Sequence, residues 1–213
     1  MSINNSEQAE IIIKRLEEAY SDARTALKYK DPLQMLVATI LSAQCTDVKV
    51  NQVTERLFKK YRTLEDYASA DAAEFEQDIK STGFFRSKTK SIIGATKLIK
   101  ESFGGEVPKT MDELLMLPGV ARKTANIVLY NAYGVIEGIA VDTHVRRLSQ
   151  RLELSNSSDP VEIEKYLMKL VPKAKWGKIT NLLIDHGRAL CMARKPKCQQ
   201  CFLNDICPSA FNV

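Results

Sequence analysis

The stretch Leu117-Pro118-Gly119-Val120-Ala121-Arg122-Lys123-Thr124-Ala125, near the middle of 213 residues, constrains the fold more than any other. Just upstream, Thr110-Met111-Asp112-Glu113 has the Ser/Thr-x-x-Glu pattern of a capping box, which starts a helix. Leu114, Leu115 and Leu117 give that helix an apolar side, and Pro118-Gly119 stops it and turns the chain tightly. Ala125, Ile127, Val128 and Leu129 then support a second, buried helix. A glycine at the turn lets backbone N–H groups approach another molecule, and N–H groups at a helix start form an anion site. A nucleic-acid phosphate suits that site, and the order helix, tight hairpin, helix over about residues 110–131 is that of a helix-hairpin-helix module.

Lys123 falls in the first turn of the second helix, where the positive end of the helix dipole disfavours an ammonium. Partly desolvated there, its free amine becomes available as a nucleophile. The competing reading makes Arg122 and Lys123 two plain phosphate contacts, and the motif alone leaves both open.

The remainder of the chain keeps to the helical period. Ser6 to about Leu27 reads as one helix, with Ile11, Ile12, Leu16 and Tyr20 at helical spacing. Asp31-Pro32 opens a nearly wholly apolar helix over Leu33–Leu41, and Thr46 or Asp47 caps the next through Lys59. Short helices are expected around Thr63–Ala70 and Asp71–Ile79, followed by a break at Ser81-Thr82-Gly83. Phe84-Phe85 then stands at a loop-to-helix corner, as core or as a wedge into nucleic acid. Later helices start at Asp142-Thr143, at Pro160 and near Lys175. No alternating strand pattern of useful length interrupts them, so an all-α fold is expected.

Charge narrows the partners only a little. Lys and Arg number 31 against 26 Asp and Glu, a formal +5, which suits a polyanion but also many soluble enzymes. The first residues lack a basic region followed by an apolar run, and Met35–Leu41 is too short to span a membrane. An intracellular protein with reduced cysteines is the expectation.

Cys191, Cys198, Cys201 and Cys207 form C-x6-C-x2-C-x5-C, so four of the five cysteines lie in the last 23 residues. One compact loop of four thiolates without histidine suits a [4Fe–4S] cluster, with four-cysteine zinc as the alternative. Arg194, Lys195 and Lys197 lie between the first two ligands, either as a stiff basic loop pressing on phosphates or as a solvated charge run. Cys45, isolated, reads as a small buried hydrophobe, and His144 and His186 as structural hydrogen-bonding residues away from any metal.

Leu117–Ala125 with Lys123, Val141-Asp142-Thr143-His144-Val145 with Asp142 19 residues after that lysine, and the cysteine ending occur here in one order. Together they closely resemble the endonuclease III family of DNA base-excision repair glycosylases, over nearly the whole chain. Leu41-Ser42-Ala43-Gln44 and Thr82-Gly83-Phe84 also look like that family's DNA-facing loops. The resemblance implies two helical lobes with the DNA cleft between them. One is a six-helix barrel over about residues 27–135 containing the hairpin; the other joins residues 1–26 and 136–213 around a [4Fe–4S] cluster.

By the same resemblance Lys123 is the nucleophile, Asp142 the catalytic carboxylate, and the four cysteines the cluster ligands. Gln44 fills the space left by a flipped nucleotide, Phe84 wedges into the opposite strand, and Gly119, Ala121 and Arg122 meet phosphate with Arg194, Lys195 and Lys197. The implied protein is a bifunctional glycosylase and abasic-site lyase. It would act as a monomer on double-stranded DNA containing damaged pyrimidines or abasic sites, with no membrane and no divalent metal in the chemistry. Asp142 can also serve as a helix N-cap.

Two residues depart from the family pattern. Ala121 stands where many members carry a second hairpin glycine, which would strain the turn if that position needs a positive φ. Phe84 replaces an aliphatic wedge. A thymine-mismatch glycosylase of the same superfamily and a non-enzymatic DNA-binding iron–sulfur sensor are the competing readings; Lys123 disfavours the first, and the Lys123–Asp142 pair argues against the second.

Overall fold

The computed structural model describes residues 5–212, and among them it contains eleven α-helices, three short 3₁₀ turns and no strand. The chain divides into two compact units, one of Ala26–Glu137 and one formed by the chain up to Thr25 together with the chain from Gly138 onward. Among the described residues no helix is long and apolar enough to cross a membrane.

The central unit begins with α2, Pro32–Leu41, for which Asp31 supplies the N-cap oxygen to Gln34 N–H and Pro32 occupies the first turn. Every residue of α2 from Met35 to Leu41 is buried, as a helix apolar on all sides must be. Around it lie α3 (Asp47–Lys60, capped by Thr46), α4 (Leu64–Ala68), α5 (Ala72–Ile79), α6 (Phe85–Ser102), α7 (Met111–Met116) and α8 (Arg122–Tyr133). Leu36, Phe75, Ile79, Ile92, Leu114 and Leu129 close one core, with Tyr61, Tyr67 and Phe75 packed ring against ring at 5.1–6.1 Å. Truncating any of these large side chains to alanine should cost about 2–5 kcal/mol.

The second unit packs α1 (Asn5–Ala19) with α9 (Thr143–Arg151), α10 (Pro160–Leu170) and α11 (Trp176–Ala189) around Ile12, Leu16, Val145, Leu148, Leu167 and Leu183. Arg15 of α1 donates to Asp205 and to the Phe202 carbonyl at 2.9 Å, which ties the first helix to the last loop. Trp176 Nε1 donates to Val171 O at 2.7 Å and fixes the start of α11.

Two local expectations fail. The first helix stops at Ala19 instead of running to Leu27. Tyr20 and Ala23 pack on one core while Leu27 belongs to the other, so a single helical stripe cannot serve the whole stretch. Thr110 caps α7, accepting Glu113 N–H at 3.3 Å, but Glu113 reaches the Thr110 hydroxyl at 2.7 Å instead of its backbone N–H. The reciprocal capping box forms at Thr63 and Asp66, where the sequence suggests only a short helix.

Candidate functional site

The hairpin between α7 and α8 is shaped by its glycine. Gly119 has φ +78°, and a Cβ there would lie 2.5 Å from the Ser91 side chain on α6. Both conformation and space therefore require glycine. Pro118 covers Gly94 on the same helix, so the turn is braced from beneath while Pro118 and Gly119 stay exposed. Ala121 is the N-cap of α8 with φ −94° and ψ 169°, ordinary extended backbone, so alanine in place of a second glycine adds no strain. Its methyl offers no oxygen to the helix start, and no side-chain cap forms. Ala121 therefore does not supply the cap oxygen that Asp31, Thr46 or Thr110 supplies elsewhere, and a helix start without a side-chain cap suits an outside anion.

Arg122 is the first residue of α8, half-buried, and Lys123 the second, exposed. The partial desolvation expected for Lys123 is not supplied by the chain itself. The reason is positional, since α8 turns its inner face, Ala125, Asn126, Val128 and Leu129, toward the core.

Two more loops of the same unit present exposed side chains from left-handed backbone. Gln44, after α2, has φ +51°, and Phe84, before α6, has φ +49°. Such conformations are uncommon for residues with a Cβ and cost about 1–3 kcal/mol, so surrounding contacts must hold them. Of the two adjacent aromatics, Phe85 packs on the core and Phe84 is 63% exposed, so the core reading holds for Phe85 alone. Cys45 packs partly buried against the same core.

In the other unit, Asp142 is the N-cap of α9, and its Oδ1 accepts the N–H groups of His144 and Val145, each at 2.8 Å. Both bonds fall on one oxygen of this half-buried carboxylate. Further along α9, Arg147 donates from Nε and Nη2 to the Cys191 carbonyl at 3.2 and 3.0 Å. Arg151 donates to Cys191 Sγ at 3.3 Å and to Met192 O at 2.8 Å. One short helix therefore carries the carboxylate at its start and two arginines on the cysteine loop at its end.

The four cysteines, all half-buried, line one pocket with Leu148, Leu152, Leu190 and Leu203. Burial pushes the Cys201 and Cys207 thiols above their ordinary value, so they ionise only with compensating positive charge, which bound iron would bring. N–H groups point at the sulfurs. Besides Arg151, Leu203 N–H reaches Cys201 Sγ at 3.4 Å, and His186 Nε2 lies 3.5 Å from the same sulfur. This donor set, thiolates ringed by N–H groups and apolar side chains, fits an iron–sulfur cluster. His186 is the structural hydrogen-bonding residue the sequence suggests, buried against Phe202 and Tyr20, whose hydroxyl lies 3.3 Å from Nδ1, though beside Cys201. Burial lowers its pKa to about 4, which keeps the ring neutral. Between Cys191 and Cys198, Arg194, Lys195 and Lys197 are exposed, and Lys197 N–H anchors the loop on Leu190 O at 2.9 Å.

Sequence reasoning missed Arg147, Arg151 and the buried Lys88. The i, i+4 spacing of the two arginines after the Asp142 cap was the available signal for that pair.

Residues 37–173 match the HhH-GPD superfamily of base excision DNA repair proteins. Residues 191–207 match the iron–sulfur binding domain of endonuclease III. Endonuclease III of Synechocystis is 53% identical over 97% of this chain and 94% of its own length. A solved non-covalent endonuclease III–DNA complex aligns with TM-score 0.93 at 41% identity, covering 98% of this chain and 97% of that one. A trapped endonuclease III–DNA covalent intermediate aligns equally well, with TM-score 0.93. The chain belongs to the endonuclease III family.

Proposed function

We propose that the protein is a bifunctional DNA glycosylase and abasic-site lyase that removes oxidised pyrimidines such as thymine glycol from double-stranded DNA. The observation that carries this reading is Lys123, an exposed amine in the first turn of α8, directly after a hairpin whose helix start is left uncapped. Hairpin N–H groups around Gly119 and Ala121, with Arg122, hold a phosphate beside the target sugar. The damaged nucleotide is rotated out of the stack, Gln44 takes its place and Phe84 enters the opposite strand. Phe84, broader than an aliphatic wedge, influences the choice of opposite base.

The Lys123 amine then attacks C1′, the glycosidic C–N bond breaks, and the base leaves with the bonding pair. The amine gives up its proton, C1′–O4′ breaks with O4′ taking a proton, and an imine is left between Lys123 and C1′. Departure of the C2′ proton and the 3′ phosphate cuts the strand, and water later releases Lys123. Asp142 assists by accepting the amine proton or by stabilising positive charge on the sugar, while Oδ1 keeps its place in the α9 cap. DNA itself supplies the desolvation that the exposed lysine lacks in the free protein.

Cys191, Cys198, Cys201 and Cys207 hold a [4Fe–4S] cluster. When bound it supplies four Fe–S bonds that staple the last loop, and Arg194, Lys195 and Lys197 on that loop contact phosphates. On this reading Ala26–Glu137 is the barrel domain and the other unit the iron–sulfur domain of an intracellular monomer. Lysine and carboxylate supply the nucleophile and the charge, so no divalent metal is needed and the reaction proceeds in EDTA.

The endonuclease III trapped covalently on DNA supports the imine. The test is a duplex with one thymine glycol, treated with borohydride, with Lys123→Ala alongside. A covalent protein–DNA band that disappears in the variant supports the reading. Base release without a band would make the enzyme monofunctional, and neither band nor release would leave a DNA-binding protein only.

A further inference from the structure

Lys88 is 4% exposed near the start of α6, and among the described residues no carboxylate pairs with it. Its ammonium donates to Leu41 O at 2.8 Å and to Thr82 O at 2.9 Å. Leu41 is the last residue of α2, and its carbonyl is left over because Cys45 N–H turns to Ser42 O instead. Thr82 ends the 3₁₀ turn Lys80–Thr82. Lys88 also donates its own backbone N–H to Phe84 O at 3.0 Å. One residue therefore grips the chain three residues before Gln44, two before Phe84, and at Phe84 itself.

Burial disfavours this ammonium and lowers the Lys88 pKa, so the charge is kept at a cost and needs its carbonyl partners. A lysine whose only task was to fill space would be replaced by an aliphatic chain without that cost. The two carbonyls it selects belong to the two loops that hold exposed side chains in left-handed backbone, Gln44 at φ +51° and Phe84 at φ +49°. A cation at the C-terminal end of α2 also meets the negative end of that helix.

We propose that Lys88 is a positioning residue that locks the Gln44 and Phe84 loops into one rigid device for extruding the damaged nucleotide. The inference rests on the roles given to those loops above. Lys88 is buried with its ammonium on those two carbonyls, so its loss should impair extrusion and leave the chemistry at C1′ intact.

The test is Lys88→Met, which keeps the stem and removes charge and donors. Two single-turnover rates are compared in the full holoenzyme: release of thymine glycol from duplex DNA, and strand cleavage at a preformed abasic site. With no damaged base to unstack at the abasic site, base release should fall about thirtyfold and cleavage less than about threefold. Fluorescence of 2-aminopurine beside the lesion should lose its rise on binding. In a Gln44→Ala, Phe84→Ala background the same substitution should add less than about threefold, because coupled residues are not additive.

Equal losses on both substrates, no loss on either, or full additivity would overturn the proposal. If Lys88→Met does not fold, Lys88→Gln, whose shorter, uncharged side chain reaches less far than the ammonium that holds both carbonyls, is expected to show the same selective loss. Failure of both to fold would also overturn it, assigning Lys88 to core stability. A wild-type protein that gives no borohydride band at an abasic site would instead sink the enzyme reading, and that control is run first.

Discussion

Two helices that start 21 residues apart treat their first N–H groups in opposite ways. At α8 the cap is Ala121, which provides no side-chain acceptor, and an exposed lysine follows two residues later. At α9 the cap is Asp142, whose Oδ1 takes two N–H groups at 2.8 Å. A helix start without a side-chain cap suits an anion from outside. A closed one already holds its anion, and the helix in turn holds that carboxylate in one place. On the proposed reading the same backbone feature serves binding at one site and orientation at the other, and the residue at the cap decides which.

Asp142→Asn breaks the second half of this comparison with the largest effect. Asparagine caps about as well as aspartate, so the melting temperature should stay within a few degrees. The charge is lost, and base release should fall on the order of a hundredfold or more. Asp142→Ala removes charge and cap together and should also destabilise by about 1 kcal/mol. Full activity in the asparagine variant would reduce Asp142 to a cap alone.

Gly119→Ala tests whether the open start depends on the turn before it. The new Cβ would meet Ser91 at 2.5 Å from backbone at φ +78°. A loss of about 2 kcal/mol is expected, some 4–8 °C for a chain this size. Pairing it with Ser91→Gly, which removes the clash but not the backbone strain, should recover part of the loss. An unchanged melting temperature would mean that the hairpin relaxes freely.

How much of this was legible beforehand depended on the range of the interactions. Asp31-Pro32, Thr46 and Asp142 announced helix starts because capping is local, set by residues two or three apart. Lys123 and the cysteine spacing were equally readable as motifs, but the exposure of Lys123 was not, since it follows from which face of α8 meets the core. Lys88 was hidden because the carbonyls it serves lie 47 and 6 residues away, and nothing local marks a lysine as buried. His186 became a neighbour of Cys201 only through the packing of Tyr20 and Phe202 around it. Ala121 shows the converse: the missing glycine looked like a strain problem, and the backbone angles remove it.

Ala121→Ser closes the open start without adding charge. A serine oxygen at that N-cap would take one of the N–H groups of α8, stabilising the helix by about 0.5–1 kcal/mol. The same bond competes with phosphate, so affinity for a duplex with an abasic-site analogue should fall about fivefold. Stability and affinity should thus move in opposite directions. If both rise, the hairpin N–H groups are not a phosphate site.

The smallest effect separates directed N–H groups from the exposed cations of the cysteine loop. Lys195 has φ +52° and lies with Arg194 and Lys197 in a stretch tied down at Lys197 N–H. A lysine that neutralises a phosphate releases a counterion, so each such contact steepens the salt dependence of binding by about 0.9 in log–log slope. Lys195→Gln should weaken binding only about two- to threefold near physiological salt and reduce that slope by about one. Ala121→Ser should leave the slope unchanged while lowering affinity more, because a backbone N–H carries no counterion. Titrations over a range of salt concentrations measure both quantities at once. A slope that moves with Ala121→Ser and not with Lys195→Gln would exchange the two roles, placing the charged contact at the hairpin and leaving the cysteine loop as solvated surface.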